Sequence, residues 1–210
     1  MTRLGRFLAP LILLSLLAAM PAAAQRRPSL DIAPPPIAGT GAIVTATNLF
    51  GEPAMRDLVR SGFPASLRYR LELWRTGGLF DDLEGHTEWD VIIQYDPSAQ
   101  RYRVARRQNG RLEDVGSYAT LATAQTVLET PTRAALVPSR PGARYYYSLA
   151  LDIEALSVSD MDQLERWLRG VREGNPASAL SNGMRTLMLR MLGGEKRHFS
   201  GNSPKFVAEK

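Results

Sequence analysis

Three side chains at alternate positions, His86, Glu88 and Asp90 in HTEWDVIIQYD, form the best metal-binding pattern in the chain. On an extended strand, residues two apart project from one face, so one imidazole nitrogen and two carboxylates would converge. The same spacing suits a solvated charge ladder. Arg68 and Arg70 lie on the polar side of the preceding segment, and cross-strand ion pairs of that kind are worth about 0.2 to 1 kcal/mol each. Zinc sites are usually closed by further His or Cys. This chain has no Cys and only one other histidine, His198. The ladder is therefore the reading adopted, and no metal or cofactor is expected.

Other chemistry has weaker support. No Gly-x-Ser-x-Gly elbow and no catalytic Cys stands beside the two histidines, so a nucleophilic triad is not expected. Asp81 and Asp82 would suit acid–base work on a sugar, but DDLEG reads first as a polar loop. There is no glycine loop to cradle a phosphate. Binding residues are more readily found. Tyr146 falls on the opposite strand face from Tyr145 and Tyr147, so it is exposed, covered by a helix or used in binding. Met184, Met188 and Met191 carry flexible side chains suited to adaptable contacts. These four are the candidate partner-binding residues.

The elements that must position these groups follow from periodicity. In PASLRYRLELWRT, Leu67, Tyr69, Leu71 and Leu73 alternate with Arg68, Arg70 and Glu72; in HTEWDVIIQYD, Trp89, Val91, Ile93 and Tyr95 alternate with polar residues. With QRYRVARR they predict an antiparallel meander with one face in a core. Asn109-Gly110 then predicts a two-residue hairpin turn into RLEDVG, since both central positions favour positive φ. AIVTATN and ARYYYSLALDI add a first and a last strand. Pro53 opens a short helix that Gly62 stops, and Thr120 caps another that Pro131 ends. Further helices are predicted after Ser159 and from Asn175 to Gly193-Gly194. The second is amphipathic, with Leu180, Met184, Leu187, Met188, Met191 and Leu192 at helical spacing.

The first two dozen residues read as a signal peptide: Arg3 and Arg6, an apolar run from Phe7 to Met20, then Ala22-Ala23-Ala24, with cleavage expected before Gln25. The run is shorter than the roughly 20 apolar residues of a spanning helix. Cleavage removes two arginines and no acid, so the 26 basic and 21 acidic residues become 24 against 21. That mild balance argues against a nucleic-acid partner. Without Cys there is no disulfide-linked partner either, and stability must come from the apolar core.

The blocks NLFGEPAMRDLVRSGFPASLRYRLELWR, WDVIIQYDPSAQRYRV, SYATLATAQTVL and YYYSLALDIEALSVSDMDQLERWLRG, in this order, resemble the exported bacterial family known as domain of unknown function 4390. The resemblance covers about Ala42 to Val171. It implies a secreted or periplasmic β-rich domain without established activity, in some proteobacteria a gene neighbour of a nitrogen-regulation type sensor kinase. It defines no functional residues that could be carried over.

These readings predict a signal peptide over 1–24, a Pro-rich linker over 25–41, a family-like domain over 42–171, and an amphipathic helix and tail over 172–210. The fold class expected is α+β: a single domain with an antiparallel sheet of about five to six strands, a usual size, and packed helices. Deleting residues 175–210 is expected to leave that domain folded. The function expected is that of an exported, periplasmic or secreted, non-enzymatic accessory or binding protein whose partner is an envelope protein or a membrane surface. A hydrolase or metal-dependent enzyme and a carrier of an apolar ligand stand as alternatives.

Overall fold

The computed structural model describes residues 27–35, 39–77, 79–155 and 196–209. Its elements are β1 (Ser29–Ala33), β2 (Ile43–Thr47), α1 (Pro53–Arg60), β3 (Ala65–Thr76), β4 (Asp82–Asp96), β5 (Arg101–Gln108), β6 (Arg111–Tyr118), α2 (Leu121–Leu128), β7 (Thr132–Arg133), β8 (Arg144–Ala155), β9 (Arg197–Asn202) and β10 (Phe206–Val207). The segment expected to be a signal peptide, the helices predicted after Ser159 and from Asn175, and Met184, Met188 and Met191 lie outside the described residues.

The alternation seen in the sequence becomes one face of a large antiparallel sheet in the order β10-β8-β3-β4-β5-β6, with β9 also paired to β8. Strand β3 lies between β4 and β8, pairing with β8 along its whole length, from Ala65↔Ala155 to Thr76↔Arg144. Leu67, Tyr69, Leu71 and Leu73 are buried on its inner face, with Trp89, Val91 and Ile93 of β4 and Tyr145, Tyr147, Leu149, Leu151 and Ile153 of β8. Tyr69 and Trp89, directly opposite in register, stack with centroids 5.0 Å apart. Such a pair adds roughly 0.5–1.5 kcal/mol to area burial.

The expected α+β class with helices packed on the sheet is overturned. Strands make up 54% of the described residues and helices 12%, and the large sheet has seven strands rather than five to six. The second layer is itself a sheet, β1-β2-β7, which brings Ile32, Val44 and Ala46 into the same core cluster as the β3 and β8 side chains. Helices α1 and α2 add only short apolar faces, Met55 and Val59, and Leu121 and Ala124. Ser29–Ala33, inside the stretch read as a linker, is a strand because Asp31 and Ile32 pair with Thr45 and Val44 of β2.

The tail also departs from expectation. His198 and Phe199 of β9 pair with Asp152 and Leu151, and Phe206 and Val207 of β10 with Tyr145 and Arg144. Between the two strands, Ser203 closes the same edge: its N–H donates to the Tyr147 carbonyl at 2.9 Å, and its Oγ accepts from the Tyr147 N–H at 2.9 Å. Residues 197–207 thus belong to the sheet, which removes the basis for expecting a folded remainder after deletion of 175–210.

Local signals held where their chemistry was local. Asn109 and Gly110 take φ of 52° and 75° in the β5–β6 turn, the left-handed values of a type I′ hairpin. Thr120 caps α2 by accepting from the Thr123 N–H at 3.1 Å. Gly62, at φ 90°, ends α1, where the Phe63 N–H donates to the Leu58 carbonyl, a closure that needs the left-handed conformation glycine takes readily.

Candidate functional site

The outer face of the large sheet carries the polar residues singled out as metal candidates. His86 lies opposite Glu72, Glu88 opposite Arg70 and Asp90 opposite both Arg68 and Arg107. The Asp90 carboxylate is engaged on both oxygens. Oδ1 accepts from Arg68 Nε at 3.2 Å, and Oδ2 accepts from Arg107 Nε at 2.8 Å and Nη2 at 2.6 Å. Arg70 approaches Glu88 at 3.6 Å. The three candidates share a face but diverge in their partners, and among the described residues no three His, Cys, Asp or Glu side chains are arranged to hold a metal ion.

One pairing had no signal in the sequence. Strand β9 places His198 beside Asp152, with Nδ1 2.8 Å from Oδ1, and Lys196 Nζ lies 3.1 Å from Oδ2. Burial alone would raise the Asp152 carboxyl, but the hydrogen bonds from His198 and Lys196 hold it below its ordinary value. Across β9, β8, β3, β4 and β5 this yields a row of alternating groups, His198, Asp152, Arg68, Asp90 and Arg107. A histidine oriented by a carboxylate can serve as a general base when a nucleophile lies within reach. Here the contact links β8 to β9 at the His198–Asp152 register position.

A different kind of site forms at the opposite end of these strands, around the β3–β4 hairpin. The register slips between Leu73 and Trp74, leaving Glu84 as the extra residue of a β-bulge. Its carboxylate accepts from the Ser139 N–H at 2.7 Å and the Tyr145 hydroxyl at 2.9 Å, pinning the 136–140 loop to the hairpin. Burial would raise the Glu84 carboxyl, yet these donors hold it below its ordinary value. The Tyr147 hydroxyl donates to the Leu136 carbonyl at 2.8 Å. Burial pushes that hydroxyl up to about 12, so it stays protonated and works as a structural donor.

This rigid base presents apolar side chains to solvent. Leu79 is 92% exposed and Phe80 79%, with Leu83, Val137 and Val207 also largely open. Val207 pairs with Arg144, which faces Thr76 at the end of β3, so hairpin, loop and β10 share one end of the fold. Tyr146 lies here, half-buried, as the strand parity requires. Its ring stacks on Trp74 at 6.5 Å and 9°, with Lys205 Nζ 5.8 Å from the ring centroid. Trp74 Nε1 donates to Glu72 at 3.0 Å, and Arg75 pairs with Asp82 at 2.7 Å. Strand parity alone sets Tyr146 apart in the sequence; its meeting with Trp74, Phe80, Val137 and Val207, which come from other segments of the chain, belongs to the tertiary structure.

A small cleft lies between the layers, lined by Pro28, Leu49, Met55, Ile153 and Phe199 and bordered by the Arg197–Glu52 ion pair at 3.0 Å. Its interior offers room for only about 10 Å³, far below the roughly 300–1,000 Å³ of ligand pockets. No helix among the described residues is long and apolar enough to cross a membrane. In comparison with known proteins, residues 43–172 match the model of the family described as Domain of unknown function (DUF4390). No curated protein and no solved structure matches the chain.

Proposed function

Because the chain belongs to the DUF4390 family, whose description carries no activity, we propose its role from its own surface: a non-enzymatic binding protein exported to the cell envelope. The observation that carries this reading is the gathering of Leu79, Phe80, Leu83, Val137 and Val207 in the open at one end of the fold. Large apolar side chains left exposed together at one end of a stable scaffold are characteristic of an interaction site. The polar groups of the outer face support the same reading, since Asp90 and Asp152 are engaged with neighbouring cations rather than turned toward a cleft. Export is supported by the apolar run from Phe7 to Met20 followed by Ala22-Ala23-Ala24.

The test is fractionation and crosslinking of the native protein in its own cells. A processed chain beginning at Gln25 outside the inner membrane, crosslinked through the hairpin end, is the expected result. An unprocessed N-terminus retained in the cytoplasm would refute the envelope reading. Turnover of a substrate that survives removal of contaminants and is lost on replacing a single polar residue would refute the non-enzymatic one.

A further inference from the structure

Of the six large apolar side chains most exposed among the described residues, Val115 alone lies away from the hairpin end. The charges around the other five are unevenly satisfied. Of the acids, Asp82 is held by Arg75, Glu84 is turned onto Ser139 and Tyr145, and Asp81 lies close enough to the Tyr146 hydroxyl to add to the rise in pKa that burial causes. The cations Arg140, Arg144 and Lys205 are exposed, and among the described residues no acid pairs with them. Lys205 instead sits over the Tyr146 ring. The end thus combines a protruding Leu-Phe tip, a pair of amphipathic aromatics behind it and a collar of unpaired cations. In water the tip gains nothing from its exposure, and the cations lack counter-charges.

From this combination we propose that the hairpin end is a docking surface for an anionic lipid bilayer. Leu79 and Phe80 enter the boundary between headgroups and acyl chains. Trp74 and Tyr146 lie at headgroup level, where rings with one apolar and one polar side are favoured. Arg140, Arg144 and Lys205 meet lipid phosphates. The inference rests on the binding-protein reading and gives that surface its partner. A protein partner is disfavoured by composition: the most exposed apolar side chains, Leu79 and Phe80, share this end with three unpaired cations, whereas protein interfaces are depleted of charge, and of Lys in particular, at their centres. The binding is peripheral and reversible. Full burial of one such apolar side chain is worth about tenfold or more in affinity, and each cation about fivefold near an anionic surface.

The test uses the processed full chain and vesicles of phosphatidylcholine with or without phosphatidylglycerol. Co-sedimentation of the wild type, L79S/F80S and R140Q/R144Q/K205Q is compared, with thermal melting as the folding control. The tip variant is expected to lose about tenfold or more in vesicle binding with an unchanged melting temperature, because both residues are exposed. The cation variant is expected to lose binding only where phosphatidylglycerol is present. A second readout is Phe80→Trp, whose emission should shift to the blue on vesicles and be quenched by brominated acyl chains. Residues 156–195 are intact in every variant, so vesicle binding that L79S/F80S leaves unchanged overturns the proposal. So does a wild type that ignores both vesicle types, or a tip variant that loses a crosslinked protein but not lipid. A protein absent from the envelope that still binds vesicles through the tip would refute the envelope reading and leave this inference standing.

Discussion

Asp90→Ala separates the charge ladder from its neighbours in a measurable way. The side chain is 14% exposed and accepts three hydrogen bonds, two from Arg107 in a side-on pair and one from Arg68. A single exposed ion pair is worth about 0.2–1 kcal/mol, while hydrogen bonds to charged groups reach about 1.5–3 kcal/mol when sheltered. Both arginines keep access to water, at 42% and 30% exposure, and Arg68 also keeps Glu154 at 3.6 Å, so little penalty arises from removing the Asp90 carboxylate. The expected loss is about 1–2 kcal/mol, or very roughly 2–8 °C in melting temperature for a domain of this size. His86→Ala and Glu88→Ala should each stay below about 0.5 kcal/mol, as exposed residues usually do, since among the described residues His86 has no hydrogen bond or ion pair to lose and Glu88 has a 3.6 Å contact. Urea unfolding of the three variants, with Arg107→Ala and the Asp90→Ala/Arg107→Ala double variant, yields the coupling directly. An Asp90→Ala no less stable than Glu88→Ala, or a coupling near zero with Arg107, would refute the reasoning.

Three further outcomes follow from the same geometry. Truncation after residue 195 removes β9, β10 and Ser203 and uncovers the β8 edge beside the buried Tyr147, so cooperative melting of the purified fragment should be lost; a fragment melting like the full protein would place the tail outside the fold. Gly41→Ala should destabilise by about 2 kcal/mol or more, because its Cβ would collide with the Ala134 carbonyl oxygen next to the β2–β7 pairing; a thermal melt within 1 °C of wild type, a margin far below what such a loss implies, would contradict that close approach. Asp152 and Glu84 both have carboxyls lowered in the folded state. Their contribution is therefore present above the ordinary carboxylate range and lost as pH falls through the lowered values, below about pH 4. Unfolding free energy should drop on acidification, and the drop should flatten in D152N/E84Q; an identical acid profile in that variant would exclude these two groups as the cause.

What could be read from residue order alone was whatever depends on neighbours in the chain. Period-two alternation from Leu67 to Leu73 and from Tyr145 to Ile153 specified strands and their buried faces, because side-chain direction in a strand is set by parity. Asn109-Gly110, Gly62 and Thr120 specified their turn, stop and cap through local backbone preference. Tyr146 was placed on the outward face by the same parity. Tertiary structure decided which strands meet. Ser29–Ala33 and Arg197–Asn202 carry little alternation of their own and become strands only because β2 and β8 offer them open edges. The second layer proved to be a sheet rather than helices, since the apolar faces of β1 and β2 cover the core. The Glu84 bulge, the His198–Asp152 pair and the convergence of Val137 and Val207 on the Leu79-Phe80 tip depend on register between distant segments. Register is set by the packing of whole faces, a collective property that no short window of sequence contains.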